Sequence, residues 1–338
     1  VSRLLRVRRE IWPLKRPFAI ARGRKTVAEV VVVEIEEEEG RVGRGECVPY
    51  ARYGESVGGV IETIERLSPA ISAGLTRERL QTALAPGAAR NAIDCALWDL
   101  AAKQSGRRAW ELAEISRPQP VQTAQTISLD GADTMAAAAA TLTARSGARA
   151  GIASTAPLLK VKVGAERVVE RVAAVRAAAP LARLIVDANE GWSLATLKTL
   201  VGPLYELGVE MIEQPLPAGD DGALARLSAP IVLCADESCH SVADLDRLAG
   251  YAMINVKLDK TGGLTAALRL MKEARARRLT VMVGCMVATS LAMAPAMLLS
   301  AAAELVDLDG PLWLARDRSP PLRYIDDRIH PPPAVLWG

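Results

Sequence analysis

Cysteine is sparse and unpatterned in this chain of 338 residues: the five at positions 47, 95, 234, 239 and 285 form no CxxC and no pairable framework. That excludes a disulfide-stapled scaffold and favours a reducing, cytoplasmic setting. An excess of charge of one sign is missing too, since 42 basic and 39 acidic side chains leave only +3. Nothing global therefore points to nucleic acid or an anionic membrane as a partner. The N-terminus has basic residues with no apolar core behind them, so a signal peptide is not expected. The uncharged stretch from 280 to 303 has the length of a membrane span, but Gly284 and Pro295 interrupt it. A buried strand, TVMVG, followed by an alanine-rich helix is the expectation there. With 50% hydrophobic and 24% charged residues, the composition is that of a globular protein able to bury a large core and form more than one domain.

What is present is a repeat. From Lys160 to Asp309 a short apolar run ends on a polar residue and a helix-length segment follows. LLKVK ends on Lys162, LIVDAN carries Asp187, VEMIEQP carries Glu213, IVLCADES carries Asp236 and MINVK ends on Lys257, at steps of 25, 26, 23 and 21 residues. TVMVGC reaches Cys285 after 28 more and ELVDLDGP reaches Asp307 after another 22. This is the pattern of a repeated βα unit. In a closed barrel all these residues lie at one rim, the rim that carries active sites. VQTAQTISL, after Pro118 and Pro120, reads as the first strand, with Thr126 near its end. Helices are expected at about 166–179, 194–207, 241–249, 264–278 and 291–303, with a short one near 221–227. No amphipathic helix follows Asp309-Gly310-Pro311, so the eighth strand lacks one.

Residues 1–117 lie outside the repeat. Val30 to Glu37 and Arg41 to Val48 predict a hairpin across Glu39-Gly40. AARNAIDCALWDLAAKQSG predicts a helix that Gly106 ends. The basic start, with Arg3, Arg6, Arg8 and Arg9, reads as a solvated strand face. The predicted class is α/β: a modified TIM barrel, (β/α)7β, over 118–312, an N-terminal α+β domain over 1–117, and a segment 313–338 returning to that first domain.

Asp187, Glu213 and Asp236 end three successive strands, so their carboxylates can converge. One acid at such a place usually caps the next helix, whereas three hard oxygen donors in consecutive units suit Mg2+. Lys160 and Lys162 alternate across one residue and share a strand face, into the barrel. An edge strand would tolerate them in solvent, but in a central parallel strand unpaired charge is costly. Lys257 occupies the matching place four strands on. Two amines on opposite sides of a metal-bound carboxylate could take a proton from one face of the α-carbon and return it to the other, a 1,1-proton transfer. The enediolate that forms needs a divalent cation. A lysine base needs its pKa lowered by a neighbouring ammonium, the place Lys160 has beside Lys162.

KVK, DANEGW, EQPLP, ADES, NVKLDKTGG and DLDGP, in this order, resemble the enolase superfamily in its muconate-lactonizing-enzyme subgroup, a superfamily whose sites use lysine or histidine bases with magnesium. GECVPYARYGES and AARNAIDCALWDLAAK extend the likeness into an N-terminal capping domain, so nearly the whole chain is covered. The resemblance implies Lys162 and Lys257 as the acid/base pair, Lys160 as the residue that tunes Lys162, and Asp187, Glu213 and Asp236 as Mg2+ ligands. A sister subgroup with a His/Asp base fits less well, because the sixth strand ends in Lys257, the seventh in Cys285, and only His240 and His330 exist. Lys260, beyond its strand, ranks second to Lys257.

Taken alone, Asp307 and Asp309 could be solvated loop acids. By resemblance they are the Asp-x-Asp of dipeptide epimerases, which holds a substrate ammonium, with Thr126, Cys285 and Met286 lining the same pocket. Arg22, Arg24 or Lys25 of the capping loops, Arg22 foremost, is expected to pair with a glutamyl carboxylate, and Tyr53 lies on the second loop. The implied substrate is L-Ala-D/L-Glu or a near relative, as in recycling of cell-wall peptides. The runners-up are o-succinylbenzoate synthase, muconate cycloisomerase or N-acylamino acid racemase of the same subgroup, and, from another class, a non-catalytic metal-binding scaffold. A homo-oligomer is left open. GARAGIASTAP, before the second strand, is longer than the family pattern needs and predicts a longer loop on the far rim.

Overall fold

The computed structural model describes residues 2–146 and 156–338; most of GARAGIASTAP lies outside the described residues. The chain opens with an antiparallel sheet of β1 (Arg3–Ile20), β2 (Gly23–Glu37) and β3 (Val42–Cys47), in that order. Val31, Val33 and Ile35 of β2 bury one face against the helix Ala88–Ser105. The outer face of β1 is solvated, and its arginines pair across to β2, Arg8 with Glu34 at 2.9 Å and Arg6 with Glu36.

Eight parallel strands follow. With β4 (Val121–Gln122) set aside, they are β5 (Gln125–Ile127), β6 (Leu158–Lys162), β7 (Arg183–Asp187), β8 (Val209–Glu213), β9 (Val232–Ala235), β10 (Met253–Val256), β11 (Thr280–Val283) and β12 (Leu305–Val306), each paired with the next. The N–H of Ala124 donates to the Val306 carbonyl at 2.7 Å, bringing the last strand back to the first. Ala124, Leu158, Ile185, Met211, Cys234, Met253, Met282 and Leu305, one from each strand region, form an apolar cluster of their own. Their sequence neighbours Leu159, Val161, Leu184, Val186, Ile254 and Val283 belong to the main core with the helices. Period-two alternation therefore puts Lys160 and Lys162 on the same face as Leu158, one layer above an oily floor.

The α/β barrel with its separate cap bears out the predicted class, with local differences. The expected first strand is split: β4 pairs with β14 (Arg328–Ile329), which pairs with β13 (Tyr324–Ile325), and only β5 joins the barrel. The segments near 221–227 and 241–249 form 3-10 turns, Asp221–Arg226 and Val242–Arg247. Runs this short do not repay helix nucleation. The uncharged stretch resolves into β11 and the helix Ser290–Met297. Among the described residues no helix is long and apolar enough to cross a membrane. The C-terminal segment packs on the cap helix, where Trp337 Nε1 donates to the Cys95 carbonyl at 3.1 Å and the Gly338 N–H to Asp99 at 2.8 Å.

Strand β3 lies so close to the cap helix that a Cβ on Gly45 would overlap the carbonyl oxygen of Ala92. Gly45→Ala is expected to destabilise the protein by about 1–3 kcal/mol through overpacking, read as a lower urea midpoint; an unchanged midpoint would show that the helix can retreat freely.

Candidate active site

Strand register assembles the site. Lys162 pairs with Asp187 across β6 and β7, and Asp187 with Glu213 across β7 and β8. Asp236 and Lys257 come directly after β9 and β10. All five side chains are buried. Lys160 Nζ lies 2.7 Å from Glu213 Oε2, 2.8 Å from Asp307 Oδ2 and 3.2 Å from Asp187 Oδ2. Lys162 Nζ is 2.5 Å from Asp187 Oδ2, and Lys257 Nζ is 2.5 Å from Asp236 Oδ2. Lys260 Nζ lies 2.7 Å from Asp236 Oδ1 and donates to the Asn255 carbonyl at 2.8 Å. Asn255 Nδ2 donates to Glu213 Oε1 at 2.7 Å. Lys160, Lys162, Lys257 and Lys260 thus face Asp187, Glu213, Asp236 and Asp307, four ammonium groups against four carboxylates.

The electrostatics follow from burial set against that pairing. Burial alone would raise the Asp187 pKa, yet Lys162 and Lys160 bring it down to about 2. Asp236 is likewise held well below the usual range, burial being outweighed by Lys257 and Lys260. Glu213 goes the other way, pushed up by burial and by the charge of Asp187. Burial works against the charge on Lys160 and Lys257, but their carboxylate neighbours hold both above the ordinary lysine value.

The three acids do not meet at one point as expected. Among the described residues no three carboxylate, histidine or cysteine side chains stand at metal-ligand spacing; Lys160 bridges Asp187 and Glu213, while Lys257 pairs with Asp236. The donor chemistry nonetheless fits a hard cation: three buried carboxylates on neighbouring strand ends, joined by Asn189 Oδ1 and Glu237 Oε2, buried oxygens that make no hydrogen bond.

Above the lysines opens a cavity of about 760 Å3. Lys160, Lys162, Lys257, Thr126, Cys285, Met286, Asp307 and Asp309 line its barrel side, and Arg22, Lys25, Tyr50 and Tyr53 line its cap side. Asp309 Oδ2 accepts from the Thr126 N–H at 2.7 Å and from Trp313 Nε1 at 3.3 Å. Burial and the neighbouring Asp307 push its pKa up to about 6. Tyr53 stands edge-on to His240, with ring centroids 4.4 Å apart.

The three cap-side basic residues differ in their placement. Arg24 does not line the cavity, whereas Arg22 and Lys25 do. The β1–β2 hairpin pairs Ala19 with Arg24, while the alternate residues Gly23, Lys25 and Val27 face the cavity. Arg22 is at the cavity but committed: it donates to the Asn189 carbonyl at 2.7 Å, Glu190 at 3.0 Å, Tyr50 Oη at 3.0 Å and Glu237 at 2.6 Å. Lys25 lies 5.2 Å from the Tyr50 ring centroid, and burial lowers its pKa. Among the described residues it is the cavity-lining cation of the cap with no ion pair to a carboxylate. Counting alternate residues back from the turn would have separated it from Arg24, had the turn been located.

Family models match both parts of the chain. Residues 2–113 match the mandelate racemase / muconate lactonizing enzyme N-terminal domain, and residues 134–335 match the enolase C-terminal domain-like family. The chain belongs to the enolase superfamily. Among curated superfamily relatives, L-Ala-D/L-Glu epimerase of Escherichia coli K12 is 49% identical over 97% of this chain and 99% of its own length. N-acetyl-D-glutamate racemase of a Pseudoalteromonas species is 43% identical over 91% and 95%. Among solved structures, an Agrobacterium tumefaciens enolase-family protein with homology to dipeptide epimerases, holding sodium and L-Ala-L-Glu, superposes with a TM-score of 0.94 at 49% identity, over 99% of this chain and 100% of that one. A dipeptide epimerase of Enterococcus faecalis complexed with Mg and L-Leu-L-Tyr gives 0.87 at 28% identity, over 98% of each.

Removing one partner from a buried ion-pair cluster leaves charge stranded. In metal-free buffer at neutral pH, Lys160→Met is expected to cost about 3–5 kcal/mol of stability, read by urea unfolding. Wild-type stability in that variant would mean that the four acids do not rely on the lysines for compensation.

Proposed function

We propose that the protein is a dipeptide epimerase, an isomerase that inverts the α-carbon of the second residue of L-Ala-D/L-Glu or a close relative. The observation that carries this reading is that Lys162 and Lys257, from strands four apart in an eight-stranded barrel, both line one cavity. An α-carbon held between them can lose its proton to one lysine and regain one from the other on the opposite face. That sequence is a 1,1-proton transfer through an enediolate.

Asp187, Glu213 and Asp236 are the residues that would hold Mg2+, the ion present in the E. faecalis relative. When bound, it supplies positive charge against the carboxylate of the enediolate. Lys162 and Lys257 are the groups placed to take and return the proton, one on each face of the α-carbon.

The remaining walls fit the two ends of the substrate. Asp309, with Asp307 beside it, faces the substrate ammonium, and Thr126, Cys285 and Met286 line the same side. Lys25 is the cation we assign to the distal glutamyl carboxylate, since four of the five N–H groups of Arg22 are engaged within the protein. Tyr53 closes the cap side. Five free cysteines suit a reducing cytoplasm, and turnover of cell-wall peptides would supply such a dipeptide.

Lys162→Ala and Lys257→Ala are each expected to lower turnover by about 10²–10⁴-fold, followed as epimer formation and as incorporation of solvent deuterium; near-normal rates in either would end the two-base reading. EDTA should abolish both readouts. The Pseudoalteromonas relative motivates a second reading, racemisation of an N-acylated glutamate, which has no ammonium. Asp309→Asn is expected to cut kcat/KM for L-Ala-L-Glu by about 10–100-fold and to spare N-acetylglutamate. A reversed pattern would favour the racemase.

A further inference from the structure

Glu190 follows β7 by three residues, outside the lysine–carboxylate cluster, and its side chain is only 7% exposed. Its two oxygens are shared among three partners from separate parts of the chain. Arg52 grips both, Nε on Oε2 at 2.7 Å and Nη2 on Oε1 at 2.6 Å. Arg22 Nη1 reaches Oε2 at 3.0 Å, and the Ala218 N–H donates to Oε1 at 2.8 Å. Arg22 belongs to the β1–β2 turn and Arg52 to the 3-10 turn Ala51–Tyr53, so one barrel carboxylate reaches both cap loops that wall the cavity, with Glu237 a second anchor for Arg22 at 2.6 Å.

The backbone is shaped for this. Asn189 and Glu190 have φ of 46° and 68°, consecutive non-glycine residues in the left-handed region. Such strain persists only where surrounding contacts over-determine it. It lets the Asn189 carbonyl and the Glu190 carboxylate receive the same guanidinium, at 2.7 and 3.0 Å. Arg22 Nη2 also donates to Tyr50 Oη at 3.0 Å, linking the two loops to each other.

We propose that Glu190 is a positioning residue that locks the β1–β2 turn and the second cap loop to the barrel as one unit, and so sets the selectivity for an acidic second residue. Lys25 lies three residues beyond Arg22, and Tyr53 adjoins Arg52. Both wall residues are therefore placed by groups that Glu190 holds. The selectivity clause rests on the epimerase reading; the coupling of the loops does not.

Hydrogen–deuterium exchange of the full chain, followed by mass spectrometry on peptides covering 19–26 and 49–56, tests the coupling without substrate. Glu190→Gln is expected to raise exchange about tenfold in both peptides together, the loss of a charge-assisted hydrogen bond. Arg52→Gln should free only the 49–56 peptide. Release of one peptide or neither in Glu190→Gln would overturn the proposal. If Glu190→Gln does not fold, Glu190→Asp, whose shorter side chain withdraws the carboxylate from both guanidinium groups, must release both peptides together. In kinetics, Glu190→Gln should raise KM for L-Ala-L-Glu about tenfold with kcat little changed, and narrow the preference over L-Ala-L-Gln. A loss confined to kcat would contradict the positioning role. A wild-type protein that epimerises neither dipeptide would sink the functional reading while leaving the exchange result to stand on its own.

Discussion

Four ammonium groups face Asp187, Glu213, Asp236 and Asp307 in the upper barrel, with Glu237 and Asp309 buried beside them, over a floor of methionine, leucine and isoleucine. Neither set could stay ionised there alone, since an unpaired buried charge costs several kcal/mol or is neutralised by a pKa shift. The barrel must therefore bring lysines from β6 and β10 and acids from β7, β8, β9 and β12 to the same height. Parallel register does this, because residues at the ends of neighbouring strands are paired in the ladder.

The cap is tied into this arrangement through one helix. Arg90 donates to the Thr261 carbonyl at 2.6 Å, Asn91 to Asp259 at 2.8 Å, and Trp98 to Thr265 at 2.9 Å, while Asp94 accepts from the Thr265 N–H at 2.9 Å. These residues recur at helical spacing and meet the turn that follows Lys257. Asp259 also accepts from the Val48 N–H at 2.9 Å, at the start of the second cap loop. The helix thus sets the loop that covers the site and the turn that carries a catalytic candidate in one frame.

Much of this was legible in the chain because strand alternation and βα spacing are local properties. Lys160 and Lys162 share a face by period two alone, and the spacing of Asp187, Glu213 and Asp236 put them at one rim. What depended on distant partners was not legible. The acids were expected around a single point and instead surround ammonium groups, since spacing gives position but not which charge lies between. Arg22, Arg24 and Lys25 could not be ranked without the register of β1 on β2, which decides which of them faces inward. The polar face of AARNAIDCALWD reads as an ordinary helix surface until its partners, some 170 residues on, are brought beside it. The segments near 221 and 241 carry helical patterns too short to form more than 3-10 turns.

The central claim is that the two floor lysines act on one carbon of a dipeptide and no other. Proton NMR of the wild-type protein with Mg2+ and L-Ala-L-Glu in D2O reads this directly. The account predicts that the glutamyl α-hydrogen signal disappears as both epimers accumulate, while the alanyl α-hydrogen stays at full intensity. Retention of the glutamyl signal, or loss of the alanyl one, would contradict it.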